Sequence, residues 1–271
     1  MARRLTLVAG AGDLVPHLAA AIARSGDPVQ ILDLAGRAPT LGPHAIPVSL
    51  DDPAGLVRAV TSFRTSHIVL AGGVHLSDTH REGLAAALGL PDKIAGSLGD
   101  IGLATMVMAF AARHRVRLVG AHHVAPELVA PEGHIAGPVV DASAFAAGAL
   151  KAARAVGTLD LGQAIVMAGK RAIAAEDAGG TDALLARVAV LREEGRTGNG
   201  QYPLILAKAR KPKQPDYVDL PAIGPETVIN AAAAGISIIV VEARTTLVIE
   251  RARLEAEAAV RGISVIGLRH G

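Results

Sequence analysis

Residues 206–228 read LAKARKPKQPDYVDLPAIGPETV, and the stretch changes character twice. It is entered through a short apolar run, Pro203-Leu-Ile-Leu-Ala207, the pattern of a buried strand. Lys208, Arg210, Lys211 and Lys213 then place four cations within six residues. Pro212, Pro215, Pro221 and Pro225 forbid a helix through the segment. Asp216 and Asp219 follow. Asp219 sits inside the apolar frame Val218-Asp-Leu-Pro221, where a carboxylate is costly unless something positive meets it. Gly224-Pro225-Glu226-Thr227 opens an Ala-rich helix with proline in its first turn. Strand, charged loop and helix together signal α/β organisation. They also gather cations, an acid and a helix N-terminus within one loop. That combination suits an anion such as phosphate, with a carboxylate at hand for a metal or for acid–base work. In isolation the same composition describes a charged surface loop ending in a helix cap.

The remainder of the chain supplies the context. Hydrophobic residues make up 51% of the sequence and aromatic residues only 2%, so the core has to be built from Ala, Val, Leu and Ile. With so few rings there is no platform for stacking single-stranded nucleic acid. The formal net charge of +2 is not gathered into one long run. Nucleic acid is therefore not an expected partner, whereas an acidic ligand or an anionic membrane surface is compatible. Cysteine is absent, which excludes disulfides and thiolate metal sites. The apolar run after Met1 is too short for a signal peptide, and no stretch is long and apolar enough for a transmembrane helix. A cytoplasmic protein, able to touch a membrane peripherally, is the expectation.

Strand and helix patterns alternate along the first half. Arg4 to Gly12 reads as a strand and glycine turn, His17 to Ser25 as a helix, and Val29 to Asp33 and Ile46 to Leu50 as strands. Asp52 to Phe63 reads as a helix, His67 to Gly73 as a strand, Ile101 to His114 as a helix and Val116 to Gly120 as a strand. This alternation predicts a parallel sheet with helices on both faces. Residues 124–139 carry three prolines and two glycines and mark the expected boundary between domains spanning 1–130 and 138–271. Beyond it, Ser143 to Val156 reads as a helix, and Gly162 to Gly169 and Arg171 to Ala175 as two strands around a Gly-Lys turn. Thr181 or Asp182 is expected to cap a helix over Ala183 to Leu191. After the charged loop come a helix at Val228 to Gly235, strands near Ser237 to Glu242 and Leu247 to Ile249, a helix at Arg251 to Gly262 and a strand at Ile263 to Gly267. The second domain is again α/β.

Candidate chemistry concentrates at glycine turns. Gly10-Ala-Gly12 lacks the third glycine of a dinucleotide fingerprint, and only Asp33 stands near the place of a ribose-binding acid. An NAD-dependent oxidoreductase is thus disfavoured. Phosphate contact and a tight turn needing small residues remain equal readings of Gly10 and Gly12. Gly179-Gly-Thr-Asp182 puts a hydroxyl and a carboxylate at a helix start, where backbone N–H groups favour an anion. Of the ten histidines, His122 (beside His123) and, more weakly, His75 follow strand ends; His67, His80, His114 and His270 read as surface or packing residues. No zinc spacing or GxSxG motif is present.

The ordered set Thr158-Leu-Asp160, Gly162-Gln163, Glu176, Gly180-Thr-Asp182, Leu206-Ala-Lys208, Lys211-Pro212, Gln214 and Val218-Asp-Leu-Pro-Ala-Ile-Gly224 resembles the UDP-2,3-diacylglucosamine pyrophosphatases of lipid A biosynthesis, in the branch with an N-terminal Rossmann-like domain. Ala9-Gly10, Gly12, Ala71-Gly72, Val74, Gly99-Asp100 and Gly120-Ala-His122 are similar to its N-terminal half. The resemblance implies two α/β domains with a ligand cleft between them. It implies hydrolysis of a UDP-linked diacyl sugar lipid to UMP and 2,3-diacylglucosamine 1-phosphate, dependence on Mg²⁺ or Mn²⁺, and work at the inner-membrane surface. A homodimer is expected by family and base rate. Asp219 is carried over as catalytic and metal-binding, with Asp182 as the second candidate in both roles. Gly10, Gly12, Gly72, His122, Thr181, Lys208, Lys211 and Gln214 are the expected substrate contacts. The chain departs from the family pattern at Gly73, Leu76, Ile101, Gly179 and Tyr217, where the family carries Asn, Arg, an acid, Glu and Arg. A relative that binds a nucleotide or lipid phosphate without hydrolysing it, or that acts on another nucleotide conjugate, is the alternative these departures keep open.

Overall fold

A computed structural model describes residues 3–74, 76–89, 99–141, 143–198, 200–212, 215, 217 and 220–269. Asp219, Gln214, His75 and His270, with Lys213 and Asp216, lie outside the described residues. The chain divides into two compact units after Pro126.

The first unit holds β1 (Leu5–Ala9), α1 (Leu14–Ala23), β2 (Val29–Asp33), β3 (Ala45–Pro47), α2 (Pro53–Ser62), β4 (His67–Ala71), α3 (Asp78–Leu88), α4 (Gly99–His114), β5 (Arg117–Leu118) and α5 (Ala121–Val124). Its five strands lie in the order β3-β2-β1-β4-β5, every pair parallel. LTLVA, VQILD and HIVLA are mostly apolar, as strands covered on both faces tend to be. Leu32 and Ile68 pack with Val60 of α2, Leu84, Ala85 and Leu88 of α3 and Met106 and Phe110 of α4. α1 crosses β1, β2 and β4 and buries Val15, Leu18 and Ile22. Asp52 caps α2 by accepting from the Gly55 N–H at 2.8 Å, with Pro53 in the first turn.

Asp33 closes β2 fully buried, but its carboxylate turns back on its own loop and accepts from the Ala35 and Arg37 N–H groups. The Arg37 guanidinium then donates to the carbonyls of Gly12 at 3.1 Å and Gly10 at 2.6 Å. The acid near the expected ribose position thus organises the loop that holds the glycine turn. His67, on a strand, has its ring pushed below the ordinary histidine value by burial and by the nearby Arg3 and Arg117 cations.

The second unit contains β6 (Gly133–Ala136), α6 (Ser143–Thr158), β7 (Ala164–Ala168), β8 (Arg171–Ala175), α7 (Gly180–Glu193), β9 (Leu204–Lys208), β10 (Ala222–Ile223), α8 (Pro225–Ala233), β11 (Ile238–Glu242), β12 (Leu247–Val248), α9 (Arg251–Arg261) and β13 (Ser264–Leu268). Six strands form a mixed sheet in the order β6-β13-β11-β9-β7-β8. β9, β11 and β13 are parallel to one another, while β6, β7 and β8 pair antiparallel. One face packs against α6 through Ala146, Ala149, Leu150 and Ala153. The other packs against α7, α8 and α9 through Leu184, Val188, Val228, Ala231 and Leu254. Leu, Ile, Val and Ala dominate both faces, as an aromatic-poor sequence requires.

Most elements fall where the sequence pattern predicts them. Residues 133–136, inside the proline-rich segment, form an edge strand that the sequence reading passed over; only three of its pairings to β13 register, around a bulge. α3 was also missed, because its first half, Asp-Thr-His-Arg-Glu-Gly, is polar and masks the apolar stripe. α1 begins at Leu14 rather than His17, and β3 ends at Pro47 rather than Leu50.

Glu242 ends β11 with its carboxylate buried. It accepts from the Arg154 guanidinium of α6 and, at 3.0 Å, from the Arg210 N–H just past β9. One acid therefore joins a helix, a strand end and the entry to the charged loop. Glu242→Ala leaves the partly buried Arg154 guanidinium and the Arg210 N–H without their acceptor and is expected to destabilise the second unit by about 1–3 kcal/mol. The measurement is the urea midpoint, followed by amide exchange in β11 and α6; an unshifted midpoint would show that the pair contributes nothing.

Candidate functional site

In the first unit the two expected glycine turns meet. The Gly10 N–H donates to the Ala71 carbonyl at 2.8 Å, the Ala11 N–H to Gly73 at 2.8 Å, and the Gly73 N–H to Ala11 at 2.9 Å. Past the strand ends the parallel pairing of β1 and β4 gives way to an isolated antiparallel bridge between Ala11 and Gly73. A Cβ on Gly10 would lie 2.4 Å from the Gly73 oxygen, and one on Gly72 would lie 2.4 Å from the Ala11 oxygen. Gly72 also takes φ +83°, which L side chains rarely adopt. Close approach of two backbones accounts for both glycines, and two of the turn's N–H groups are committed within the sheet. Gly12 is exposed. His122 lies half-buried on the short α5, its ring centroid 3.9 Å from that of His123.

The second unit brings Thr181, Asp182 and Lys208 to the carboxyl end of β9. Here the expected helix cap needs correction. α7 starts at Gly180, with Gly179 as its cap residue, so Thr181 and Asp182 lie inside the first turn and neither caps it. Asp177 supplies the turn instead: its Oδ1 accepts from the Gly179 N–H at 2.9 Å, and its carbonyl accepts from the Gly180 N–H at 3.0 Å. Gly180 takes φ +77°, which brings the chain round early enough to start the helix there. The Gly179 N–H, and then the Arg187 guanidinium, hold the Asp177 carboxyl below the ordinary carboxylate range.

Because the turn is made elsewhere, both side chains are available for tertiary contacts. Asp182 Oδ1 accepts from Asn230 Nδ2 of α8 at 3.0 Å. Thr181 Oγ1 donates to Glu176 Oε1 at 3.3 Å and accepts from Lys208 Nζ at 3.0 Å. Lys208 Nζ also donates to the Ala222 carbonyl at 2.9 Å. Glu176 Oε2 accepts from the Gln163 N–H at 2.9 Å. Lys211 makes an ion pair with Asp160 at 2.7 Å, against the end of α6. Glu176, Asn230 and Asp160 were given no role from sequence, although Glu176 and Asp160 both fall within the stretches that carry the resemblance. Nothing in residue spacing announces a contact from Glu176 to a threonine on the next helix.

The arrangement places an ammonium, a hydroxyl and an exposed carboxylate around the first turn of a fourteen-residue helix, whose dipole favours an anion. Among the described residues no three His, Asp or Glu side chains converge as a metal cage.

The fold is that of a two-unit α/β protein, with a lysine ammonium and a threonine hydroxyl at the first turn of α7. Residues 4–128 match the LpxI N-terminal domain and residues 132–266 the LpxI C-terminal domain. The UDP-2,3-diacylglucosamine pyrophosphatase LpxI of Caulobacter vibrioides (strain ATCC 19089 / CIP 103742 / CB 15) is 34% identical over 277 residues, covering 98% of each chain. The chain belongs to the LpxI family. The Bordetella bronchiseptica enzyme WbmG, solved in complex with NAD and UDP, aligns at 22% identity over 43% of this chain and 36% of its own, with a TM-score of 0.28, a likeness too slight to bear on function.

The carboxyl of Asp177 is held ionised in the folded state, so its contribution is present above the ordinary aspartate pKa of about 3.9 and is lost as pH falls through its lower folded value. Acidification is expected to release the Gly179 amide and fray the start of α7. Amide exchange across α7 between about pH 5 and pH 2 tests this. Asp177→Asn, which keeps an acceptor without titrating, should remove the pH dependence.

Proposed function

We propose that this protein hydrolyses the pyrophosphate of UDP-2,3-diacylglucosamine, giving UMP and 2,3-diacylglucosamine 1-phosphate. The observation that carries the proposal is the full-length match to a curated pyrophosphatase of that substrate. The geometry at the end of β9 supports it. Lys208 stands where a charge-assisted hydrogen bond to a phosphate oxygen would form, and the first turn of α7 adds its backbone dipole. In the reaction, water oxygen bonds to one of the two phosphorus atoms as the bond from that phosphorus to the bridging oxygen breaks, and the other phosphate leaves with the bridging oxygen. Lys208 offsets charge on the oxygens as the bond breaks.

A divalent ion, Mg²⁺ or Mn²⁺, belongs to this reading. Asp182 offers one exposed carboxylate, a donor that suits an ion held mostly by substrate oxygens and water. Asp182 and Asp219 are the residues that would hold it. When bound, the ion supplies neutralisation of phosphate charge and a lowered pKa for a coordinated water. Asp219 is the carboxylate assigned to catalysis by resemblance. The lipid tails place the enzyme peripherally at a membrane surface; among the described residues no helix is long and apolar enough to cross one.

Release of UMP from UDP-2,3-diacylglucosamine, measured with Mg²⁺, Mn²⁺ or EDTA, tests the proposal. Activity is expected with metal and not with EDTA. Asp219→Ala and Lys208→Met are each expected to lower kcat/KM by about 10²-fold or more, the scale seen when one transition-state contact is removed. UDP bound tightly without UMP release, with either metal, would replace hydrolysis by the binding-only reading.

A further inference from the structure

We propose that Glu176 is a positioning residue that sets the direction of the Lys208 ammonium through the hydroxyl of Thr181. The inference rests on the reading of Lys208 as the phosphate-contacting cation. Three hydrogen bonds carry it. Glu176 Oε2 is held by the Gln163 N–H at 2.9 Å, its Oε1 accepts from Thr181 Oγ1 at 3.3 Å, and Thr181 Oγ1 accepts from Lys208 Nζ at 3.0 Å. The proton count gives the chain a direction. An ammonium only donates, so the Thr181 lone pair faces Lys208 and the single hydroxyl hydrogen has to point to Glu176. A carboxylate only accepts, so the hydroxyl cannot reverse while both ends keep their charge. The Ala222 carbonyl at 2.9 Å fixes a second ammonium hydrogen, and with it the rotation of the amine.

The backbone is shaped around this carboxylate. A Cβ on Gly162 would lie 2.7 Å from Glu176 Cβ and 2.8 Å from its Cγ. The glycine before Gln163 therefore leaves the space in which Glu176 reaches the Gln163 N–H. The Glu176 N–H in turn donates to the Ala164 carbonyl at 2.9 Å, fixing the strand end that carries the acid. Thr181 and Ala222 thus meet the ammonium directly, and Glu176, seated against Gly162–Gln163, holds Thr181 in turn. A lysine has four rotatable bonds and three equivalent donors, so it aims at an oxygen only when its surroundings hold it. Removing the relay leaves the charge in place but lets it turn. Ground-state binding then changes little, and the loss falls on the transition state, where geometry is strictest.

The test uses the purified full chain and four variants: Thr181→Val, Thr181→Ser, Glu176→Gln and the double variant Thr181→Val/Glu176→Gln. UMP release gives kcat and KM, calorimetric titration with UDP gives the anion affinity, and thermal unfolding monitors the fold. Thr181→Val and Glu176→Gln are each expected to lower kcat about tenfold or more with KM changed less than about threefold, while Thr181→Ser restores kcat to near the native value. The double variant is expected to lose no more than the worse single variant, because the two residues act in series. Native kcat in Thr181→Val, or multiplicative losses in the double variant, would overturn the relay. A loss carried wholly by KM would do the same. If the native protein binds UDP but releases no UMP, the hydrolytic reading fails by itself; the relay then stands on a changed enthalpy of UDP binding in Thr181→Val at affinity altered less than about threefold, restored in Thr181→Ser, and falls if the enthalpy is unchanged. Native protein that neither releases UMP nor binds UDP overturns both.

Discussion

An ammonium at the end of a buried strand must be met by acceptors, and much of the second unit follows from that constraint. β9 is apolar and buried until Lys208, where the chain leaves the sheet. The Ala222 carbonyl and the Thr181 hydroxyl meet the charge, one from β10 and one from the first turn of α7. Those contacts tie the far side of the charged loop back to the strand it left. Glu242 does the same work one step along, holding Arg210 by its backbone and Arg154 by its side chain. Cations with their acceptors, together with the short pairing of β10 to β12, thus hold the described parts of this proline-rich loop.

The two sheets treat their carboxyl ends differently. In the first, the turns after β1 and β4 are joined by backbone hydrogen bonds, and Arg37 covers two of the carbonyls. In the second, the corresponding end carries side chains: Lys208, Thr181, Asp182 and Asn230. The difference follows from residue type. Glycines permit backbones to approach within hydrogen-bonding distance, and once they do, the N–H groups that would hold an anion are engaged. A lysine at a strand end keeps polar chemistry on a side chain, where a ligand can compete for it.

Legibility from sequence followed the same divide. Strands such as AIVMA and IIVVE are readable because burial on both faces leaves a nearly continuous apolar run. The edge strand at Gly133–Ala136 was not, since an edge pairs on one side only and tolerates the prolines and glycines that otherwise signal a linker. Lys208 and Thr181 could be picked out by their place in strand and helix patterns. Glu176 could not be assigned a partner, because its contacts reach Gln163 and Thr181 across a sheet pairing and a turn whose geometry no spacing rule contains. The cap of α7 failed for a related reason. Thr181 and Asp182 are both good cap residues by type, and the choice was made instead by Asp177, four and five residues upstream.

Gly179 shows how a departure from the family pattern can be absorbed locally. The resemblance drawn from sequence implies a glutamate at this position in the family. Here a Cβ would lie 2.9 Å from the Ala183 Cβ and 3.1 Å from Asp177 Oδ1, so the space beside the backbone is already taken by an acid two residues earlier. That acid, Asp177, makes the bond to the Gly179 N–H that starts the helix at Gly180. A negative charge therefore still stands at the positive end of α7, displaced by two residues and held by the turn rather than by the helix. The displacement leaves Thr181 and Asp182 in the first turn with their side chains turned to Lys208 and Asn230. The turn made by Asp177 and the placing of Thr181 and Asp182 are, on this geometry, two sides of one local arrangement.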